Sequence, residues 1–343
     1  MSSPRASGAE AATAPGGTAR KLIVVILGLA ALVTLMLCAF ALPSVNGGPH
    51  QDPVGVSGPA QTTAAAEKKL DGDAWTVTVY DSPGALEKAI HDRDIMGGIA
   101  LGAEGVDVYT ATAAGPSTAG ALTALGNTLA EQQQAQATVH DVVPFPEDDP
   151  RGAGFTSAAL PMIFGGMIPA IALTRLFPGH SGLRTRLVGV LAFSLVAGAA
   201  VATFLQFGTG SLDGNYWLTS LGLSLGMAAL STTFIGLEAL LGFGGLGAGS
   251  AVMMLLGNPL SGLATGPHWL PAGWAALGQI LPPGASGSLL RANAFFEGTG
   301  ALVPALTLTA WVALGLALAL IADRRGRSRS PRPAAAQPEM SAA

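Results

Sequence analysis

Side chains able to do chemistry are few in these 343 residues, and their spacing is poor. The five histidines, His50, His91, His140, His180 and His268, show no metal-ligand spacing. His91-Asp92-Arg93-Asp94 has ligand-type residues, but they crowd the end of an expected helix, where a solvated turn accounts for them. A phosphate-cradling loop needs Gly-x-x-x-x-Gly-Lys-Ser/Thr. The four lysines follow Arg20, Glu67, Lys68 and Glu87, never a glycine. No nucleophile–base arrangement can be defended from residue order. The sequence therefore predicts no catalytic residue, no metal site, no cofactor and no enzyme. Any pumping must draw its work from a partner or an ion gradient.

Four weaker signals remain. Gly242-Phe243-Gly244-Gly245-Leu246-Gly247 spells a dinucleotide fingerprint, but it lacks a preceding soluble strand and an acid ~20 residues later. A tight turn between two apolar runs explains it better. Gly222 to Gly226 and Gly245 to Gly249 have the Gly-x-x-x-Gly spacing that lets helices approach closely. Cys38 is the single cysteine, so no intrachain disulfide forms. It loosely fits a lipoprotein box, but Leu37 is too large for that box, and a buried apolar thiol is the expectation. Glu238 stands out because a carboxylate at mid-bilayer costs ~2.5–3.5 kcal/mol on insertion scales. It must face a cavity, pair with a helix, or lie within a turn of interfacial water.

The elements that carry these residues are set by hydrocarbon. Half the residues are hydrophobic, mean hydropathy is +0.48 and 11% are charged, against roughly 25% in an average soluble domain. Between Gly154 and Ala322 only seven Asp, Glu, Lys or Arg residues occur. A soluble fold of that length could not cover its surface with so few. An apolar stretch from Leu22 to Leu42 follows Arg20-Lys21. It is long enough to span a ~30 Å core and too long for a typical cleaved signal. Further runs lie at about 155–174, 187–207, 217–241, 243–265 and 301–322.

The expected organisation is a polytopic α-helical membrane protein with six transmembrane helices. Residues 1–20 form a disordered cytoplasmic tail, and 21–43 the first transmembrane helix. An extracytoplasmic α+β domain at 44–153 lies between helices 1 and 2. A five-helix transmembrane region follows at 154–322, with a re-entrant segment near 266–300, and 323–343 is a basic disordered cytoplasmic tail. Orientation follows Lys and Arg in the short loops: eleven lie on the side of the two termini and one on the other. Both termini are thus expected in the cytoplasm, with the protein in the plasma membrane.

The 44–153 segment carries 15 acids and five bases, and its pattern is that of a folded unit. Trp75 to Tyr80 has strand composition, with Trp75, Val77 and Val79 on one face. Ser82-Pro83 opens a helix through Ile90. Ile95 to Leu101 and Val106 to Thr112 form a hairpin around Gly102-Ala103-Glu104-Gly105. Pro116 to Gln134 is helical, Ala137 to Val143 closes the sheet, and Pro53 to Val56 offers a first strand. A split β-α-β topology is expected.

One span, an extracytoplasmic α+β domain, then five spans resembles the permeases of the ABC type-2 exporter superfamily. The branch most similar includes the phage infection protein family and related actinobacterial membrane proteins. Three stretches carry the resemblance: Ala89 to Ile99; Asp141-Val142-Val143-Pro144 with Asp148-Asp149-Pro150-Arg151-Gly152; and Gly257-Asn258-Pro259-Leu260-Ser261-Gly262 with Leu270-Pro271 and Leu281-Pro282. The resemblance implies a permease subunit moving an amphipathic or lipid-like substrate outward. It also implies a separate ATP-binding subunit and a homo- or heterodimer of permeases in the lipid bilayer; nucleic acid is no partner. In such permeases the loop between spans two and three contacts the ATPase, here Arg175, Phe177, His180, Arg184 and Arg186, although arginines there also simply set topology. The implied translocation path runs near Glu238, Asn258 and Pro259. The short segment before the first span departs from the best-studied exporters. The alternative is a non-transporting, membrane-anchored surface protein whose acidic domain binds a partner.

Overall fold

The computed structural model of the chain describes residues 15–102, 105–179, 181–271 and 273–329. Five of its helices are long and apolar enough to cross a membrane, which marks a membrane-embedded, multi-pass protein. In hydrocarbon every backbone N–H and C=O must be satisfied within the segment, so apolar runs of this length become helices.

Helix α1 (Pro15–Val45) starts inside the expected tail and extends past the expected end of the first span. Pro43 lacks the amide that would bond the Ala39 carbonyl, and in the same last turn Ser44 Oγ donates to the Phe40 carbonyl and Asn46 Nδ2 to the Leu42 carbonyl. Almost every side chain of α1 is exposed, as suits a helix solvated by lipid. Cys38 is exposed too, which corrects the expectation of a buried thiol.

A five-stranded mixed sheet follows, built from β1 (Asp52–Ser57), β2 (Trp75–Tyr80), β3 (Gly97–Leu101), β4 (Val106–Thr110) and β5 (Ala137–Asp141), in the order β2-β1-β3-β4-β5. All pairs are parallel except the β3–β4 hairpin. Helices α2 (Ala60–Leu70), α3 (Pro83–His91) and α4 (Pro116–Gln132) connect the strands. Ser82 caps α3 by accepting from the Ala85 amide, and Pro83 occupies the first turn, where its missing N–H costs nothing. The α3 crossover carries the chain over β1, the split β-α-β arrangement the sequence suggested. Helix α2 was not expected. Val77 is buried as anticipated, but Val79 is exposed on the edge strand. Ala103 and Glu104 of the expected turn lie outside the described residues.

The two sheet faces have different partners. Side chains of α2 and α4 pack with Val54, Val56, Ile99 and Val108 into one cluster. On the other face, Leu86 and Ile90 of α3 join a second cluster that runs without interruption to Phe155, Met162, Leu205, Leu223 and Leu290 of the helical region. Glycine at Gly55 lets α3 lie close, since a Cβ there would sit 2.3 Å from Leu86 Cδ2. The sheet unit therefore shares a core with the helices rather than hanging from them.

The helical region comprises α5 (Ala153–Ser157), α6 (Ala159–Leu176), α7 (Leu183–Thr203) with a π-helical turn Phe204–Gly208, and α8 (Tyr216–Leu241). Then come α9 (Phe243–Val252) with a π-helical turn Met253–Gly257, α10 (Trp274–Ile280), α11 (Pro282–Phe295) and α12 (Leu302–Arg329). Asp149 opens α5, its two carboxylate oxygens accepting from the Ala153 and Gly154 amides at 2.8 Å each. Helix α8 is the hub, buried against α6, α7, α9, α11 and α12. It approaches α12 closely at Gly315, where a Cβ would lie 2.4 Å from the Thr232 carbonyl carbon.

Two expectations are corrected here. The run at 243–265 is helical over fifteen residues only, ten in α9 and five in the π-turn, so a sixth helix of full spanning length is not shown. At ~1.5 Å per residue that stretch falls short of a ~30 Å core. The C-terminal helix continues to Arg329, so residues 323–329 are helical rather than tail. Residues 1–14 and 330–343, the remainder of both expected tails, lie outside the described residues.

Candidate functional site

The break after α9 makes the site. Pro259 has no N–H to extend the helix, and Gly262 and Gly266 take φ of +64° and +99° to turn the chain. The backbone freed by that turn is satisfied from nearby. Ser261 Oγ donates to the Asn258 carbonyl at 2.8 Å and accepts from the Leu263 amide at 3.3 Å. Gln279 Nε2 of α10 donates to the Ser261 carbonyl at 3.1 Å, while its Oε1 accepts from Ser288 of α11 at 2.5 Å. Non-helical backbone at membrane depth persists only where protein buries it or a cavity needs it.

Such a cavity is present. It measures about 380 Å³ and lies between the end of α1, the start of α6 and the turn from Asn258 to Leu270. Asn258 and Pro259 line it together with Phe40, Ala159, Leu263 and Trp269. A crevice sharing Ala159, Asn258 and Leu263 continues from it to Met162, Ile163 and Pro283, and is too narrow for water.

Glu238 lies elsewhere. It sits near the far end of α8, where its carboxylate meets Arg186 Nη1 of α7 at 2.5 Å. Arg186 is 3% exposed and also donates to the Gly179 carbonyl at 3.2 Å. Of the remaining loop residues, Arg175, Phe177 and Arg184 are exposed. The Arg175 guanidinium lies 4.9 Å over the Phe243 ring. His180 lies outside the described residues. The structure thus joins Asn258 to Pro259 and Arg186 to Glu238, at two separate places.

Two arginines that the sequence reading gave no such role fasten the sheet unit to the helical region. Arg291 of α11 is buried. It donates to the Ala114 and Leu263 carbonyls at 2.7 Å each and stacks 4.9 Å over Phe155. Arg93, with φ of 62°, donates to the Thr299 carbonyl at 3.1 Å and stacks 4.9 Å over Phe296. The backbone adds bonds of 3.1 Å from Gly48 to Trp269 and from His50 to His268. Beside this seam Asp52 is fully buried, with Thr118 donating to Oδ2 and, among the described residues, no partner for Oδ1. Burial raises its carboxyl pKa above the ordinary value of 3.8, against the lowering effects of the Thr118 hydrogen bond and the nearby His268 charge.

Comparison of the chain with protein-family models, curated proteins and solved structures finds no match. The functional reading therefore rests on the geometry and on the resemblance carried by the three stretches above.

Proposed function

We propose that this chain is the permease subunit of an ABC-type exporter in the plasma membrane, moving an amphipathic or lipid-like substrate outward with energy from a separate ATPase. In this reading the fifteen-residue α9 segment and its π-turn act as the sixth membrane element, and the turn through α10 and α11 is re-entrant. Both termini and the α6–α7 loop face the cytoplasm, and the sheet unit lies outside. The observation that supports it is the broken helix at Pro259 opening onto a cavity, since interrupted helices in transporters mark binding sites. Arg175, Phe177 and Arg184 are the exposed side chains of the loop that would meet the ATPase. Arg186 serves that surface from beneath, by tying α7 to α8.

The test is copurification. An ATP-binding subunit should be retained by the full-length protein and lost with the pair Arg175→Glu and Arg184→Glu. Outward, ATP-dependent movement of a fluorescent lipid analogue should be lost with it. If that movement persists after the gene is deleted, the exporter reading fails, and the anchored surface protein takes its place.

A further inference from the structure

The cavity at Asn258 has a chemistry that limits what can occupy it. Among the described residues that line it none is ionisable. The nearby Arg291 does not line the cavity; its Nη1 and Nη2 are spent on two carbonyls and its face on a ring, while its buried Nε has no partner among the described residues. A phosphate or ammonium group placed there would lose its water without gaining a counter-charge, which is strongly unfavourable. Phe40, Ala159, Leu263 and Trp269 offer apolar surface instead. Beyond Ala159 the crevice walled by Met162, Ile163 and Pro283 is too narrow even for water, so it closes the inner end of the cavity. The cavity's polar side chains are neutral: the Asn258 carboxamide and the hydroxyls of Ser44, Thr156, Ser261 and Thr265, of which Ser261 and Thr265 already bond to backbone. The volume of about 380 Å³ lies within the ~300–1,000 Å³ range of small-molecule sites.

We infer that this cavity binds an uncharged amphiphile, its hydrocarbon portion lying against Phe40, Ala159, Leu263 and Trp269 and its hydroxyl or ester head at Asn258, and that it excludes anionic lipids. The inference deepens the exporter reading by narrowing the substrate class from lipid-like to uncharged. It rests on that reading only for the cavity's role in transport, because binding itself requires no ATPase.

The experiment uses the full-length protein in phosphatidylcholine nanodiscs without any ATP-binding subunit. It is exposed to a diacylglycerol with a photoreactive acyl chain, or to phosphatidic acid bearing the same chain. Labelling by the diacylglycerol probe should fall on peptides containing Phe40, Ala159 or Trp269 and should be competed by unlabelled diacylglycerol. Ala159→Trp, which fills the cavity from its inner wall, should reduce that labelling about tenfold or more, a change equivalent to ~1.4 kcal/mol. Ser44→Trp, on the exposed end of α1, should weaken it without threatening the fold, and Leu306→Trp on the exposed surface of α12 should leave it unchanged. Equal labelling of the same peptides by phosphatidic acid would overturn the inference. So would labelling that competitor leaves untouched in the unsubstituted protein, the pattern of bulk lipid. Binding without ATP-driven export would remove the exporter reading and leave the site; export without binding would do the reverse.

Discussion

The guanidinium of Arg186 on α7 and the carboxylate of Glu238 on α8 lie 2.5 Å apart, with Arg186 almost wholly enclosed and Glu238 18% exposed. Neither charge would tolerate this depth alone, and each is there because the other is. Removing one partner by Glu238→Gln should therefore lower stability by about 3 kcal/mol, the lower end of the range for broken buried pairs because Glu238 retains some water. Arg186→Met with Glu238→Leu should restore most of the loss, because no unpaired charge then remains. Thermal unfolding in detergent of the single and double variants measures both. A double variant as unstable as the single one would mean the pair is not what matters here.

A second prediction concerns the seam between sheet unit and helices. Arg291→Ala leaves the Ala114 and Leu263 carbonyls without their donor, and an orphaned buried polar group costs roughly 1–3 kcal/mol. Hydrogen exchange should accelerate at Ala113–Gly115 and Leu263–Thr265 while the α7–α8 contact stays protected. Uniform exchange across the protein would mean the arginine supports global folding rather than this seam.

Much of this was legible in the sequence, and the reasons differ by region. The strands and helix ends were readable because they depend on local chemistry: Ser82-Pro83 opens α3, and the alternating Trp75–Tyr80 is β2. Five of the six expected runs, that of α1 among them, emerged as long apolar helices, because length and hydropathy decide that. What escaped was tertiary. Nothing local distinguishes the exposed Arg184 from Arg186, two residues on, which is buried in a pair with a residue 52 positions away. Arg93 reads as a charged helix end, yet it reaches Thr299 across 206 positions. The 243–265 run failed because hydropathy is blind to the backbone break that Pro259 and Gly262 impose.

Acidity should act through Asp52. Burial raises its folded-state pKa above 3.8, so the folded protein holds the proton more tightly than the unfolded chain. The stability this contributes is complete below 3.8 and is lost as pH rises through the higher, folded value. Asp52→Asn keeps an acceptor for Thr118 but removes the charge, so its melting temperature should exceed that of the original protein at neutral pH. The gap should close as pH falls toward 4. Parallel melting curves for the two proteins over that window would rule out this account.

Close helix contact gives a steric prediction. A side chain at Gly315 would strike the Thr232 backbone at 2.4 Å, and backbone cannot rotate aside. Gly315→Val should cost at least about 1–3 kcal/mol of overpacking strain and lower the yield of monodisperse protein. Gly247→Val, where a Cβ meets nothing within 4 Å, should be tolerated. Equal behaviour of the two variants in size-exclusion chromatography would show that α8 and α12 can separate without loss.

The proposed orientation makes the strictest demand, because it fixes every other element relative to the bilayer. Cys38 is the only cysteine, so Cys38→Ser supplies a clean background for reporters. Thr138 on β5 and Arg184 at the start of α7 are both exposed, and a cysteine at either should react readily with a membrane-impermeant maleimide once reached. In intact cells Thr138→Cys should label and Arg184→Cys should not; permeabilisation should then expose the second without changing the first. The physical basis is the bias of Lys and Arg toward the cytoplasmic side, which orients short loops while the long sheet-bearing segment crosses regardless of its charge. The reverse labelling pattern would place the arginines outside, beyond reach of any cytoplasmic ATPase, and would end the exporter reading while leaving the fold and the cavity intact.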